Sequence, residues 1–336
     1  MRTMFLVFPV MCICALSVCT SCTSCAVDSA GVSVWGGDIV SPKMLTLVTV
    51  SGNELSASFS APISVSHAVV NLGGSPDLPV SLSWHAGTGE NTISFVMEKP
   101  VGIGESASLS ATVADAHGNT LSFSVPFTGF NNRLPVLRIN EIRTEYSKPK
   151  VEYIELYAVR GGNLGGVEIQ NAMNAIRPSY EFPPAEVAAG DYIVYHLRSV
   201  EEGLIDETGA VDESAGIDSR PFARDFWDNL TSAPLKKTNV ILLRERRGGP
   251  IMDALLIAEA DKTAWPNDEI RVLAEEAVSS GAWMPGSLPG DAVCSTGVSP
   301  TRTLGRNEIS TDTDTKEDWK ICGTSKCSPG ATNALP

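Results

Sequence analysis

The chain of 336 residues has a long middle without cysteine. Cys12, Cys14, Cys19, Cys22 and Cys25 crowd the N-terminus, and only Cys294, Cys322 and Cys327 lie elsewhere. That distribution excludes a small scaffold stapled by a disulfide framework. Histidine is scarce: His67, His85, His117 and His196 are the only ones, and none has a second His or a Cys at metal-ligand spacing. A structural or catalytic zinc site of the usual kind is therefore not expected. There is no H-E-x-x-H, no G-x-S-x-G and no P-loop, so the commonest hydrolase and nucleotide signatures are missing. Basic residues are in deficit, 25 Lys and Arg against 39 Asp and Glu, for a formal net charge of −14. Affinity for phosphate backbones comes mainly from Lys and Arg, so no nucleic-acid partner is expected. Adhesion to an anionic membrane by charge alone is excluded on the same ground.

What is present begins with an export signal. Arg2 is the only charge before Asp28, and Met4 to Val18 is almost wholly apolar. A short basic start, an apolar run and then small residues form such a signal. The run is shorter than the roughly 20 residues that a spanning helix needs. It leads into Ser-Val-Cys-Thr-Ser-Cys-Thr-Ser-Cys-Ala, which resembles the lipobox of bacterial lipoproteins in a relaxed, spirochaete-like form. Cys22, preceded by small Thr20 and Ser21, is slightly favoured over Cys19, which has Leu16 three positions before it but Val18 directly before it. Residues 1–25 are thus read as signal and lipobox and 26–41 as a Gly- and Ser-containing tether. The resemblance implies an exported protein held to a membrane by an N-terminal lipid, periplasmic or at the cell surface; the rival is ordinary cleavage to a soluble secreted protein. The same cysteines also read as C-x-x-C-x-x-C, but the fourth ligand of an iron–sulfur motif is missing. No cofactor is expected.

The rest of the chain alternates at period two, the mark of pleated strands. Leu55, Ala57 and Phe59 alternate with serines, as do Leu121, Phe123 and Val125, while Leu109, Ala111 and Val113 form another such run. Gly- and Asn-rich turns separate these runs at short intervals, which predicts an all-β sandwich over residues 42–130. Val113 to Leu121 resembles the late hairpin of bacterial immunoglobulin-like domains.

A second set of strands starts at Leu137. Strict alternation places Leu137, Ile139 and Glu141 on one face and Arg138, Asn140 and Ile142 on the other, and Ile139, Ile154 and Leu156 are expected core positions. The segments INEI, EYIEL and NLGGVEI, followed far downstream by SPTRTLGRN (Ser299 to Asn307), DTDTKEDW (Asp312 to Trp319) and SPGATN (Ser328 to Asn333), resemble the opening and closing segments of a lamin-tail domain. The resemblance covers residues 134–336 and implies a second immunoglobulin-like sandwich. Val240 to Leu243 and Ile251 to Ala258 are expected to pair as a hairpin. Two insertions interrupt the pattern. Pro266 to Gly281 reads as one short helix, with Asn267 as its cap and Gly281 as its stop. Val200 to Lys237 reads as a long loop that opens with Glu201, Glu202, Asp206, Glu207, Asp212, Glu213 and Asp218 before any base.

Fold implies no reaction by itself. The reading is therefore a non-catalytic envelope protein that serves binding, adhesion or structure. The alternatives are an accessory or cryptic secreted protein associated with a hydrolase or nuclease, and a calcium-dependent adhesive module suggested by the alternate carboxylates Asp312 and Asp314. The partner is an unknown protein or an envelope or host ligand, and the sequence leaves the oligomeric state open. Arg220, Phe222, Arg224, Phe226 and Trp227 are the candidate partner-binding residues, because aromatics and arginine anchor interfaces. Outside the cytoplasm Cys294, Cys322 and Cys327 are candidates for a disulfide.

Overall fold

The computed structural model describes residues 39–73, 78–171, 179–230, 235–307 and 312–336. The signal and the lipobox cysteines Cys19 and Cys22 lie outside the described residues. No helix among the described residues is long and apolar enough to cross a membrane. The chain is all-β, with one α-helix among those residues.

The N-terminal strands are β1 (Met44–Ser51), β2 (Glu54–Phe59), β3 (Ile63–Leu72), β4 (Pro79–Val80), β5 (Leu82–Ala86), β6 (Thr92–Met97), β7 (Ser106–Asp115) and β8 (Thr120–Thr128). They form two antiparallel four-stranded sheets, in the orders β1-β2-β6-β5 and β4-β3-β7-β8. Alternation sends Leu55, Ala57, Phe59, Phe95, Leu109 and Val113 into a shared core. The serines and threonines between them face out and pair across strands, as Ser110 with Ser124 and Thr112 with Ser122.

The remaining strands are β9 (Val136–Arg143), β10 (Tyr153–Arg160), β11 (Gly162–Asn163), β12 (Glu168–Asn171), β13 (Ser179–Glu181), β14 (Glu186–Val187), β15 (Tyr192–His196), β16 (Ala223–Trp227), β17 (Asn239–Arg244), β18 (Ile251–Ala258), β19 (Val293–Cys294), β20 (Leu304–Arg306) and β21 (Trp319–Ile321), with helix α1 (Asp268–Ser279). A six-stranded sheet in the order β16-β15-β10-β9-β20-β21 packs on a five-stranded sheet in the order β13-β12-β17-β18-β19. Ile139, Ile142, Ile154, Leu156, Ile193, Phe226, Leu242 and Leu256 belong to one core, so the three expected core positions are all buried. The expected hairpin is present as β17 and β18. Residues 240–243 of β17 and 254–258 of β18 are unbroken apolar runs because the helix also packs against these strands, and Ile270, Leu273, Ala274 and Ala277 are buried on its inner side.

The helix begins and ends as its sequence dictates. The Asn267 side chain accepts the Ile270 N–H at 2.9 Å. At the far end Gly281 takes φ +80° while the Ala282 N–H bonds the Ala277 carbonyl and the Gly281 N–H bonds that of Val278. This Schellman closure favours glycine at the left-handed position.

Two expectations are corrected. Strict alternation fails in β9, because Glu155 pairs with Glu141 while Leu156 pairs with Ile139, leaving Asn140 as an extra residue. That bulge reverses the phase, so Ile142 joins the core and Glu141 faces away from it. The stretch Val200 to Lys237 is not all loop either. Its middle forms β16, which pairs in parallel with β15 and extends the six-stranded sheet.

Candidate functional site

The sheet face opposite the core carries the molecule's most unusual chemistry. The bulge and ordinary alternation together place Glu141 and Arg143 of β9, Tyr153 and Glu155 of β10, His196 of β15, and Asp225 and Trp227 of β16 on it. All but Trp227 are buried. A transverse row crosses four strands: the Arg143 guanidinium lies 4.7 Å from the Tyr153 ring centroid, Tyr153 meets His196 edge-on, and His196 stacks on Trp227 at 3.7 Å. Arg143 forms a buried ion pair with Asp218. His196 Nε2 lies 2.7 Å from Asp225 Oδ1.

The C-terminal segment covers the adjoining row. Glu141 accepts hydrogen bonds from the Thr303 hydroxyl and from the Ser328 backbone N–H at 3.1 Å, with the Cys322 thiol 3.8 Å away. Glu155 accepts from Asn140 Nδ2 at 2.8 Å and from the Gly330 N–H at 2.6 Å. Asn333 donates to the carbonyls of Asn140 and Arg306. Gly330 has φ +76°, and a Cβ there would sit 2.9 Å from Ala223 and Arg220, so the strap fits only with glycine at this point. Burial pushes the Glu141 carboxyl up, against the hydrogen bonds from Thr303 and Ser328 and the charge of Arg143. Burial likewise pushes Tyr153 well above its ordinary value and the Cys322 thiol to about 11.

A second cluster joins the two sheets through Arg306. Its guanidinium donates to the Ile139 carbonyl at 2.8 Å, pairs with Asp253 at 2.7 Å and with Asp312, and lies 4.9 Å from the Trp319 ring centroid. Arg138 holds the other oxygen of Asp312 at 2.9 Å. Burial pushes Asp253 up to about 6 despite Arg306. The cavity beside this cluster, lined in part by Arg138, Tyr157, Arg306, Asp312 and Asp318, measures about 30 Å³. That is room for a water molecule and not for a substrate.

The chemistry open to these groups is narrow. The Asp225–His196 pair has the look of the orienting half of a triad, but His196 Nδ1 is buried without a hydrogen-bond partner among the described residues. Among the described residues, no serine or cysteine is held there for activation. The larger open grooves, of about 590, 660 and 570 Å³, are lined by none of Glu141, Glu155, His196, Asp225 and Asp253.

The sequence-based candidates are scattered. Cys294, Cys322 and Cys327 are all free thiols. Cys294 is exposed on β19 at the edge of one sheet, whereas Cys322 is buried against Glu141 on the other. Of the five partner-binding candidates, Arg224 and Phe226 are buried because β16 is a strand. Arg224 donates to the carbonyls of Glu207 and Gly209, and Phe226 enters the core. Trp227 is half-buried on His196. Arg220 and Phe222 remain exposed. Sequence reading missed Glu141, Glu155 and Arg143 as one buried polar face and Asp253 as part of the separate Arg306 cluster; the available signal was charge inside strands flanked by apolar neighbours.

The fold and these clusters define an all-β protein with packed sheets, the second pair closed by a buried polar latch and a C-terminal strap. A family profile described as a protein second domain, TP_1001_2nd, matches residues 135–321, and the chain belongs to that family. The chain is 33% identical over 196 residues to an uncharacterized protein of Treponema pallidum (strain Nichols). The match covers 56% of this chain and 50% of the relative, so the chain spans about half the length of the curated relative it matches. Among solved structures, the N-terminal part of the bacterial S-layer protein SbsC aligns with a TM-score of 0.27 at 10% identity, over 41% of this chain and 37% of that one. A DUF4785 family protein from Legionella pneumophila aligns with a TM-score of 0.20 at 15% identity, over 46% and 45%. Scores this low leave the architecture to be argued from the chain's own strands.

Proposed function

We propose that this is an exported, lipid-anchored envelope protein without catalytic activity, whose sandwiches serve binding or structure. The observation that carries the reading is the saturation of the buried carboxylates. Glu141 and Glu155 are engaged by the chain's own C-terminal strap, so the groups best suited to acid–base work are committed to closing the fold. The strand orders β1-β2-β6-β5 and β4-β3-β7-β8 support an immunoglobulin-like first domain, since they follow the ABED and C′CFG sheets of that fold. The lamin-tail-like reading of the second domain is supported by the placement of its motif segments. INEI and EYIEL form the neighbouring central strands β9 and β10, and SPGATN supplies the strap that covers them.

Lipid attachment at Cys22 or Cys19 rests on the lipobox-like sequence alone. Several acyl chains anchor stably, each buried methylene contributing about 0.8 kcal/mol. The test is to replace both cysteines with serine and follow fatty-acid labelling and detergent partitioning. Wild type is expected to label and enter the detergent phase and the double variant to do neither; an unlabelled wild type overturns the anchor. A screen for hydrolase and nuclease turnover with and without divalent metal tests the non-catalytic part, and turnover abolished by Asp225→Asn or Glu155→Gln would sink it.

One observation favours a second reading, a calcium-dependent adhesive module. Carboxylate oxygens of Asp253, Asp312 and Asp314 lie within 4.8 Å of one another. Arg306 already supplies positive charge to two of them, which weighs against a metal there. A thermal melt with calcium against chelator decides it; equal midpoints remove this reading.

A further inference from the structure

We infer that residues 201–222 form a docking surface for a cationic polypeptide that carries apolar side chains. The inference rests on the reading of the protein as a binding module. The segment is built inside out. Its interior is polar: Glu207 is buried and accepts the N–H groups of Glu213 at 2.8 Å, Ser214 at 2.9 Å and Asp225 at 2.9 Å. Arg224 caps two of the segment's carbonyls, and buried Asp218 ties it to Arg143. Trp227 Nε1 donates to Ser214 Oγ at 2.7 Å. Its exterior carries large apolar side chains among acidic ones. Phe222 is 82% exposed, and Ile205, Ile217 and Val211 are 45%, 45% and 43% exposed.

Large apolar side chains normally stabilise a loop by turning inward, so an ordered segment that turns four of them outward is a candidate interface. Two of its arms lie side by side. The Ala215 N–H bonds the Gly203 carbonyl, the Ile205 N–H bonds Ser214 Oγ at 3.3 Å, and the Ile217 N–H bonds Glu201 at 3.0 Å. This brings Ile205 and Ile217 onto adjoining arms beside Glu201. Because the arms are already bonded, little ordering cost remains to be met on binding.

The charge selects the partner. Glu201, Glu202, Asp206, Asp212 and Glu213 are exposed, and no base occurs between Glu201 and Ser219. Arg220 follows, but its guanidinium folds back onto the carbonyls of Ile217 and Ser219. Such a surface repels anionic lipid, nucleic acid and a second copy of itself. It attracts a polypeptide with Lys or Arg beside apolar anchors, and Phe222, the most exposed of the four apolar side chains, is the one most open to a partner.

The test is a fluorescence-anisotropy titration of the full chain with three labelled synthetic peptides: an amphipathic lysine–leucine peptide, an oligolysine of equal charge, and a glutamate–leucine peptide. The lysine–leucine peptide is expected to bind at least about tenfold more tightly than either control. Phe222→Ser together with Ile217→Ser should weaken it at least about tenfold with the melting temperature unchanged, since both side chains face solvent. An independent variant, Glu202→Gln with Asp212→Asn, should weaken binding and flatten its dependence on salt. Absence of binding, equal binding of oligolysine, or affinity indifferent to both variants overturns the inference. Lipid labelling and the turnover screen are read on other residues, so failure here leaves the envelope reading standing, and the converse also holds.

Discussion

Two carboxylates facing each other across neighbouring strands, Glu141 and Glu155, are wholly buried. A buried carboxylate is tolerated only with close hydrogen bonds, since unpaired it costs several kcal/mol. Here the donors are the Thr303 hydroxyl, Asn140 and the backbone of the strap. Glu155→Ala should therefore destabilise by about 1–3 kcal/mol through orphaned donors. Ile139→Ala should cost about 2–5 kcal/mol through a cavity. Denaturant melts measure both, and hydrogen exchange at Gly330 separates them. Its amide should lose protection in Glu155→Ala and keep it in Ile139→Ala; equal protection in both would mean that Glu155 does not hold the strap. The difference between the two residues is also the difference in legibility. Ile139, Ile154 and Leu156 were readable because apolar alternation points to burial. Glu141 was not, because the bulge at Asn140 and the covering Ser328 lie beyond any local pattern.

At the level of elements, legibility follows locality. Helix α1 was visible because its cap and stop are adjacent in sequence, and the β17–β18 hairpin because its strands are joined directly. Strand β16 was hidden. Its partner β15 lies across the whole acidic segment, and parallel pairing leaves no turn signature. Asp206 and Glu207 then run along its free edge, bonding Trp227 and Asp225, so the edge that an exposed strand would offer is covered. The strap is the other long-range element. It contributes no strand, yet Ser328, Gly330 and Asn333 bond β9, β10 and β20 together. Deleting residues 328–336 should lower stability by more than Glu155→Ala alone, because Glu141 and Asn140 lose their donors as well. A melting temperature equal to that of Glu155→Ala would show that the strap acts through Gly330 only.

Over the whole molecule, acidity and burial act in the same direction. The net charge of −14 favours solubility but sets acidic groups against one another. Burial raises Glu141 and Asp314, and Asp253 is raised from 3.8 to about 6. A group whose folded pKa lies above its unfolded value contributes stability that is complete below the unfolded pKa and is lost as pH rises through the folded one. For Asp253 that window runs from about 4 to about 6, and two units correspond to roughly 3 kcal/mol at most. Asp115 and Glu186 are lowered by their hydrogen bonds from Asn119 and Arg133, so their stabilisation fails only below the ordinary carboxylate range. Between pH 4 and pH 7 the raised groups therefore decide the slope. The protein should be more resistant to denaturant near pH 5 than at pH 7. In chelator-containing buffer, Asp253→Asn should show a shallower fall of stability over that interval, since the amide no longer titrates beside Arg306 and Asp312. Parallel curves for wild type and Asp253→Asn would assign the slope to the surface charge instead, and a wild type more stable at pH 7 than at pH 5 would overturn both contributions.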